Sequence, residues 1–183
     1  NIVVFNDQQL DMHLFIERGL RGGISMMFNR YSKANNKYMS DYDKSETDKY
    51  IFYCDCNNLY GGSMISKLPL NSYVWADETQ FTSDVIKQLD SNADVGYFFE
   101  VDLEYPRELH DKHNDYPLAV EKMIITNEMK SEYSKRLSDK LLAGKSSVAK
   151  LVPNLNNKCN YVCHSSNLKQ YLQLGLKLLK VHR

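Results

Sequence analysis

Asp55-Cys56-Asn57-Asn58-Leu59-Tyr60-Gly61 is the segment of this 183-residue chain whose residue types could do chemistry together. It follows the apolar run Tyr50-Ile51-Phe52-Tyr53-Cys54, so the Asp55 carboxylate stands where a strand would give way to a turn. A carboxylate there and the next peptide carbonyl are hard oxygen donors of the kind a divalent cation takes. Turn amides beyond them can face phosphates held by the same ion, and the Tyr60 ring can pack against a sugar. The same residues also suit an ordinary turn, because Asp and Asn hydrogen-bond to their own backbone. Two further sets carry ligand chemistry. Cys54, Cys56, Cys159 and Cys163 could hold zinc, but the two pairs lie about a hundred residues apart and do not make a standard knuckle. Cys54 and Cys56 share a strand face with Phe52 and read as buried core thiols. His110 and His113 form H-x-x-H in a polar loop, where solvated imidazoles are the expectation.

Charge sharpens the picture. The 23 Lys and Arg balance 23 Asp and Glu, which by itself speaks against a nucleic-acid partner. Residues 1–139 hold 15 bases against 23 acids, a net −8, whereas residues 140–183 hold eight bases and no acid. Neutrality is thus a cancellation between two regions, and such asymmetry hints at a charged partner. No apolar run approaches the roughly 20 residues that span a bilayer, and no membrane partner is expected. Asn1 and Val181-His182-Arg183 both fall inside patterned sequence, so the chain reads as a piece of a longer one.

The elements that must position these residues are short. Ile2–Phe5 reads as a strand, and Asp7 as the cap of a helix over 8–18 that Gly19 stops, with Leu10 and Leu14 on its apolar face. Residues 25–49 are polar and read as a loop of modest order. Tyr50–Asp55 is a strand by its aromatic and β-branched content. A short helix follows over 59–66, another near 84–90, and Tyr73 and Trp75 read as core. Phe99, Val101, Leu103 and Tyr105 alternate with Glu100, Asp102 and Glu104, a half-buried strand that Pro106 ends. Residues 107–122 form a loop, 127–142 a helix and 161–164 a strand. Ser166 caps a helix to Leu174 that Gly175 ends, and 176–183 is a last strand. The fold class is α+β with an antiparallel sheet, because several connections are too short for crossover helices.

Asp55-Cys56-Asn57-Asn58-Leu59-Tyr60 resembles motif A of family B DNA polymerases, D-x-x-S-L-Y-P. The likeness is strongest to the protein-primed branch of bacteriophages and Maverick/Polinton-type DNA transposons. Further segments resemble that branch in the same order: Arg21-Gly22-Gly23-Ile24-Ser25 with Arg30-Tyr31 and Lys33–Asn36, then Val101–Pro106 through His113–Leu118, then Asn167–Lys177 with His182-Arg183. The resemblance implies a partial polymerase palm with an antiparallel sheet and flanking helices, plus an insertion before the fingers. Residues 1–49 would end the connection from exonuclease to polymerase, 50–75 would be palm, and 76–183 the insertion.

The implied roles follow the matching positions. Asp55 would be a catalytic carboxylate and Mg2+ ligand, with the Cys56 carbonyl as a further ligand. Asn58, Leu59 and Tyr60 would contact the deoxynucleoside triphosphate, Tyr60 excluding a 2′-hydroxyl. Arg21, Gly22 and Gly23 would grip template, and the basic stretch with Lys169 and Lys177 would face DNA phosphates. The implied partners are a DNA template-primer, deoxynucleoside triphosphates and a terminal priming protein. Leu20 stands where the family's Y-x-G-G has Tyr, Asn58 where motif A has Ser, and Gly61 where it has Pro. The second metal carboxylate and the fingers lysine would lie beyond Arg183, so these residues alone are expected to be inactive. Two other readings remain: a non-catalytic DNA-binding remnant of a mobile element, and a zinc-stabilised interaction module.

Overall fold

The alternation from Phe99 to Tyr105 becomes the central strand of a three-stranded sheet. A computed structural model describes residues 9–29, 31–141 and 148–183. The expected strand Ile2–Phe5, the Asp7 cap, Arg30, Lys145 and the last residue of the expected helix 127–142 lie outside them. In chain order the elements are α1 (Leu10–Gly19), α2 (Leu59–Met64), α3 (Ser83–Gln88), β1 (Phe98–Glu104), α4 (His110–His113), β2 (Glu121–Met123), α5 (Glu132–Lys140), β3 (Lys150–Val152), β4 (Lys158–His164), α6 (Ser165–Gln173) and β5 (Lys177–Val181). Short 3-10 turns occupy Glu78–Gln80 and Arg107–Leu109. The class is α+β with antiparallel pairing throughout, as the connections require. Among the described residues no helix is long and apolar enough to cross a membrane.

Two compact units divide the chain: one runs to Ile24 and resumes over Asn71–Arg183, and the other is Ser25–Leu70. The first holds a three-stranded sheet in the order β4-β1-β5. Its inner face carries Phe99, Val101 and Leu103, exposed by 1%, 0% and 0%, with Tyr161 and Cys163 from β4. Ile86 of α3, Leu168 and Leu172 of α6, and Phe81 close over them. Burying each of these large side chains contributes about 1.5–3 kcal/mol, so this face dominates the unit's stability. A separate ribbon pairs β2 with β3. His164 caps α6, its Nδ1 accepting from Ser166 N at 3.2 Å in place of the expected Ser166 cap. Gly175 ends that helix region at φ 108°, a conformation side chains rarely adopt.

The outer face differs from the expected solvent-facing one. Glu100 is only 6% exposed, because α1 lies over β4 and Arg18 reaches the Glu100 carboxylate at 2.7 Å. The buried side of α1 is Met12, Phe15, Ile16 and Gly19, while Leu10 and Leu14 stay exposed. Gly19 is the last residue of the helix and not a left-handed stop beyond it; a Cβ there would press on Val162 Cγ1 at 3.1 Å. Trp75 meets Phe15 edge-on at 5.4 Å yet remains 49% exposed, so it borders the core without entering it.

The loop over 107–122 also differs. It contains a 3-10 turn, α4 and the start of β2, with His113 buried and His110 half-buried. Tyr105 ends its strand on the buried face, so its hydroxyl needs partners. It accepts from Leu118 N at 3.2 Å and shares a hydrogen bond with His113 Nδ1 at 2.9 Å. Burial holds the pKa of His113 below the usual imidazole value. His110 Nε2 lies 3.3 Å from the Tyr105 carbonyl.

The second unit is an ordered loop followed by an exposed segment. Asn35 and Asn36 are buried and tie the loop together. Asn35 exchanges both backbone bonds with Lys49, at 2.9 and 2.6 Å, and its side chain bonds to the backbone of Asp43 in both directions. This loop is better ordered than composition suggests, because two buried amides replace a hydrophobic core. Tyr50–Asp55 forms no strand. A strand exists only through its ladder, and among the described residues the neighbouring Asn35–Lys49 bridge is the nearest pairing.

Candidate functional site

Asp55 and Cys56 run into a turn that α2 continues. Asn58 adopts a left-handed conformation, φ 51° and ψ 46°, which Asn tolerates better than most residues. Its Oδ1 accepts from Gly61 N at 3.3 Å, and its carbonyl accepts from Gly62 N at 2.9 Å. The Asn58 side chain folds over Gly61 so closely that a Cβ there would overlap its amide. The two departures from D-x-x-S-L-Y-P are therefore coupled: Asn58 supplies the cap, and Gly61 leaves room for it.

Asp55, Cys56, Leu59 and Tyr60 are all exposed, Tyr60 by 80%. Asp55 makes no ion pair or side-chain hydrogen bond among the described residues. Its carboxylate and the Cys56 carbonyl are oxygen donors of the class Mg2+ prefers. Among the described residues, however, no three His, Cys, Asp or Glu side chains converge as a metal site. A pair of ions needs a second carboxylate, so this donor set is incomplete by itself.

The thiols do not form the expected core. Cys54, Cys56 and Cys159 are exposed, since the strand that would have buried the first two is absent. Only Cys163 is buried, and desolvation pushes its thiol up to about 12.

Arg21 is held within the first unit. Its guanidinium donates to Val162 O at 2.6 Å and to Gly19 O at 3.1 Å, and stacks 4.0 Å over the Tyr161 ring. Gly22 and Gly23 have no atom within 4 Å of where a Cβ would stand, so their backbone faces open space.

Part of the basic stretch is answered from within. Lys169 donates to Leu89 O at 2.6 Å, and Lys177 reaches Glu104 at 3.1 Å. Arg183 lies 3.5 Å from Glu100 and His182 2.9 Å from Asp102. Asp102 also accepts from Asn160 N at 2.8 Å; this bond leads, and His182 helps, in holding its carboxyl below the usual range. The acids of β1 thus face the bases that follow Leu176, and two of the eight bases of residues 140–183, Lys177 and Arg183, are answered across the sheet.

Lys158 is the residue that the sequence concealed. Its side chain is fully buried, and its ammonium donates to Glu121 Oε2 at 2.8 Å and to the side-chain and backbone oxygens of Asn154. Desolvation lowers its pKa against the opposing pull of Glu121. It ties β4 to the β2–β3 ribbon. A Lys heading a strand in a basic stretch gives no sign of this, although Asn154 four residues before it supplies two acceptors.

Compared with protein-family models, curated proteins and solved structures, the chain matches none.

Proposed function

We propose that this chain is part of a DNA-directed DNA polymerase of the protein-primed family B type, and that Asp55 is one carboxylate of its metal-dependent nucleotidyl transfer. The observation that supports this most is the arrangement from Asp55 to Tyr60. A carboxylate and a carbonyl lead directly into a tight left-handed turn, and the next helix presents an exposed ring. Bound Mg2+ would supply the charge that activates a primer 3′-hydroxyl and neutralises the leaving pyrophosphate. Asp55 and the Cys56 carbonyl would hold it, together with a second carboxylate from a longer polypeptide. The amides near Asn58 and Leu59 would face the triphosphate, and the Tyr60 ring would lie under the sugar, where a 2′-hydroxyl would clash. Gly22-Gly23, with open backbone, would pass the template. The partners would be a template-primer, deoxynucleoside triphosphates and a terminal priming protein.

Sugar selectivity tests this reading. In a longer polypeptide that extends primers, Tyr60→Ala is expected to admit ribonucleotides while deoxynucleotide incorporation persists. The 183 residues alone are expected to incorporate neither. Unchanged selectivity in Tyr60→Ala, or robust synthesis by these residues alone, would overturn the placement of the site.

A further inference from the structure

The three-stranded sheet protects both of its edges. On β4, Arg18 and Arg21 donate to the carbonyls of Asn160 and Val162. On β5, Lys177 and Lys180 flank Leu179, which the register against β1 skips as a bulge. Charged side chains and bulges are the usual devices against edge-to-edge pairing. Tyr50–Cys54 has neither. It carries no charge, Pro or Gly, and its large side chains are exposed, from 49% at Tyr50 to 98% at Tyr53.

Its flanks give the run a polarity. Lys49 precedes it and Asp55 follows it, three residues either side of Phe52. The Lys49 N–H and C=O both bond to Asn35. In an extended chain the groups of Ile51 and Tyr53 point to that same side, and those of Tyr50, Phe52 and Cys54 point to the opposite, free edge.

We propose that Tyr50–Cys54 pairs antiparallel with the same segment of a second copy of this chain, centred on Phe52. That register uses the free edge: Phe52 faces Phe52, and Tyr50 faces Cys54, as the hydrogen-bonded pairs. Ile51 faces Tyr53, and Lys49 of each copy faces Asp55 of the other, at the non-hydrogen-bonded positions where side chains approach most closely. Both ends are thus closed by opposite charges across the strands. Parallel in-register pairing would set Lys49 on Lys49 and Asp55 on Asp55, and a slip of two residues would lose both ion pairs. The interface is isologous and closes on itself. The inference does not rest on the polymerase reading, and it engages Asp55, so self-pairing and metal binding at Asp55 exclude one another.

Sedimentation equilibrium of the 183-residue chain tests it. A concentration-dependent monomer–dimer equilibrium is expected, weak because a single strand pair is marginal by itself. Lys49→Asp and Asp55→Lys should each weaken the dimer about tenfold by opposing like charges, and the double exchange K49D/D55K should restore it. Phe52→Lys, at an 82% exposed position, should abolish association with unchanged circular dichroism. A chain that stays monomeric, a dimer indifferent to the single exchanges or not restored by the double one, or open-ended assembly would each overturn the proposal.

Discussion

Phe98–Tyr105 and Tyr50–Asp55 are both rich in aromatic and β-branched residues, yet the first lies at the centre of a sheet and the second lies bare. Phe99 and Leu103 are 1% and 0% exposed, whereas Phe52 is 82% exposed. Composition does not separate them; partners do. The first run has β4 on one side and β5 on the other, with α1, α3 and α6 nearby to cover its faces. The second has a single bridge at its start. Strand propensity in this molecule is a capacity to be paired, realised in one region and left open in the other.

The largest effect should come from cutting into the paired run. Leu103→Ala is expected to cost about 2–5 kcal/mol in urea unfolding, whereas Phe52→Ala should fall within about 0.5 kcal/mol of the parent. Equal losses would erase the contrast between the two runs.

Next is the buried ammonium that anchors β4. Glu121→Ala should destabilise by about 2–3 kcal/mol, because it removes the counter-charge of a fully buried Lys158. Lys158→Met should cost less than this, since the Glu121 carboxylate it leaves unpaired is 30% exposed and can be hydrated.

Acidification should loosen the first unit. Burial depresses the pKa of both His113 and His164, so the unfolded chain takes up protons that the folded one refuses. Stability is then complete above the unfolded imidazole value of about 6.5 and falls as pH drops below it. Thermal melts between pH 7.5 and 5 should show the decline, and His113→Gln should flatten it; a melting temperature that rises on acidification would reverse the sign.

The smallest perturbation reads the same contrast without mutation. Ellman's reagent should modify Cys54, Cys56 and Cys159 rapidly in the native chain, and Cys163 only on unfolding. Protection of Cys54 and Cys56 in the monomer would mean that the second run is covered after all.

Much of the first unit was legible because its pattern is local. The alternation of Phe99, Val101, Leu103 and Tyr105 specifies a strand with a buried face, and Gly175 marks a helix end in residues that carry their own signal. What escaped depended on distant partners. Glu100 alternates like a surface residue and is buried because Arg18, 82 positions away, arrives above it. His113 reads as solvated until the Tyr105 hydroxyl on the strand's inner face is seen to need it. Asn35 and Asn36 organise their loop through backbone carbonyls that no periodicity announces. Around the candidate site, Asp55 and Tyr60 stood out by type and spacing. The mutual dependence of Asn58 and Gly61 did not, because it lies in a left-handed backbone and one side-chain rotamer.

The claim with most riding on it is that Asp55 is a reacting-centre carboxylate. Its direct test is Mg2+-dependent primer extension by a longer polypeptide containing these residues, carrying Asp55→Asn to keep size while removing charge. The predicted result is a loss of about a hundred- to a thousandfold in deoxynucleotide incorporation with template-primer binding retained, the scale expected for a charge-stabilising group. Incorporation at the parent rate would contradict it.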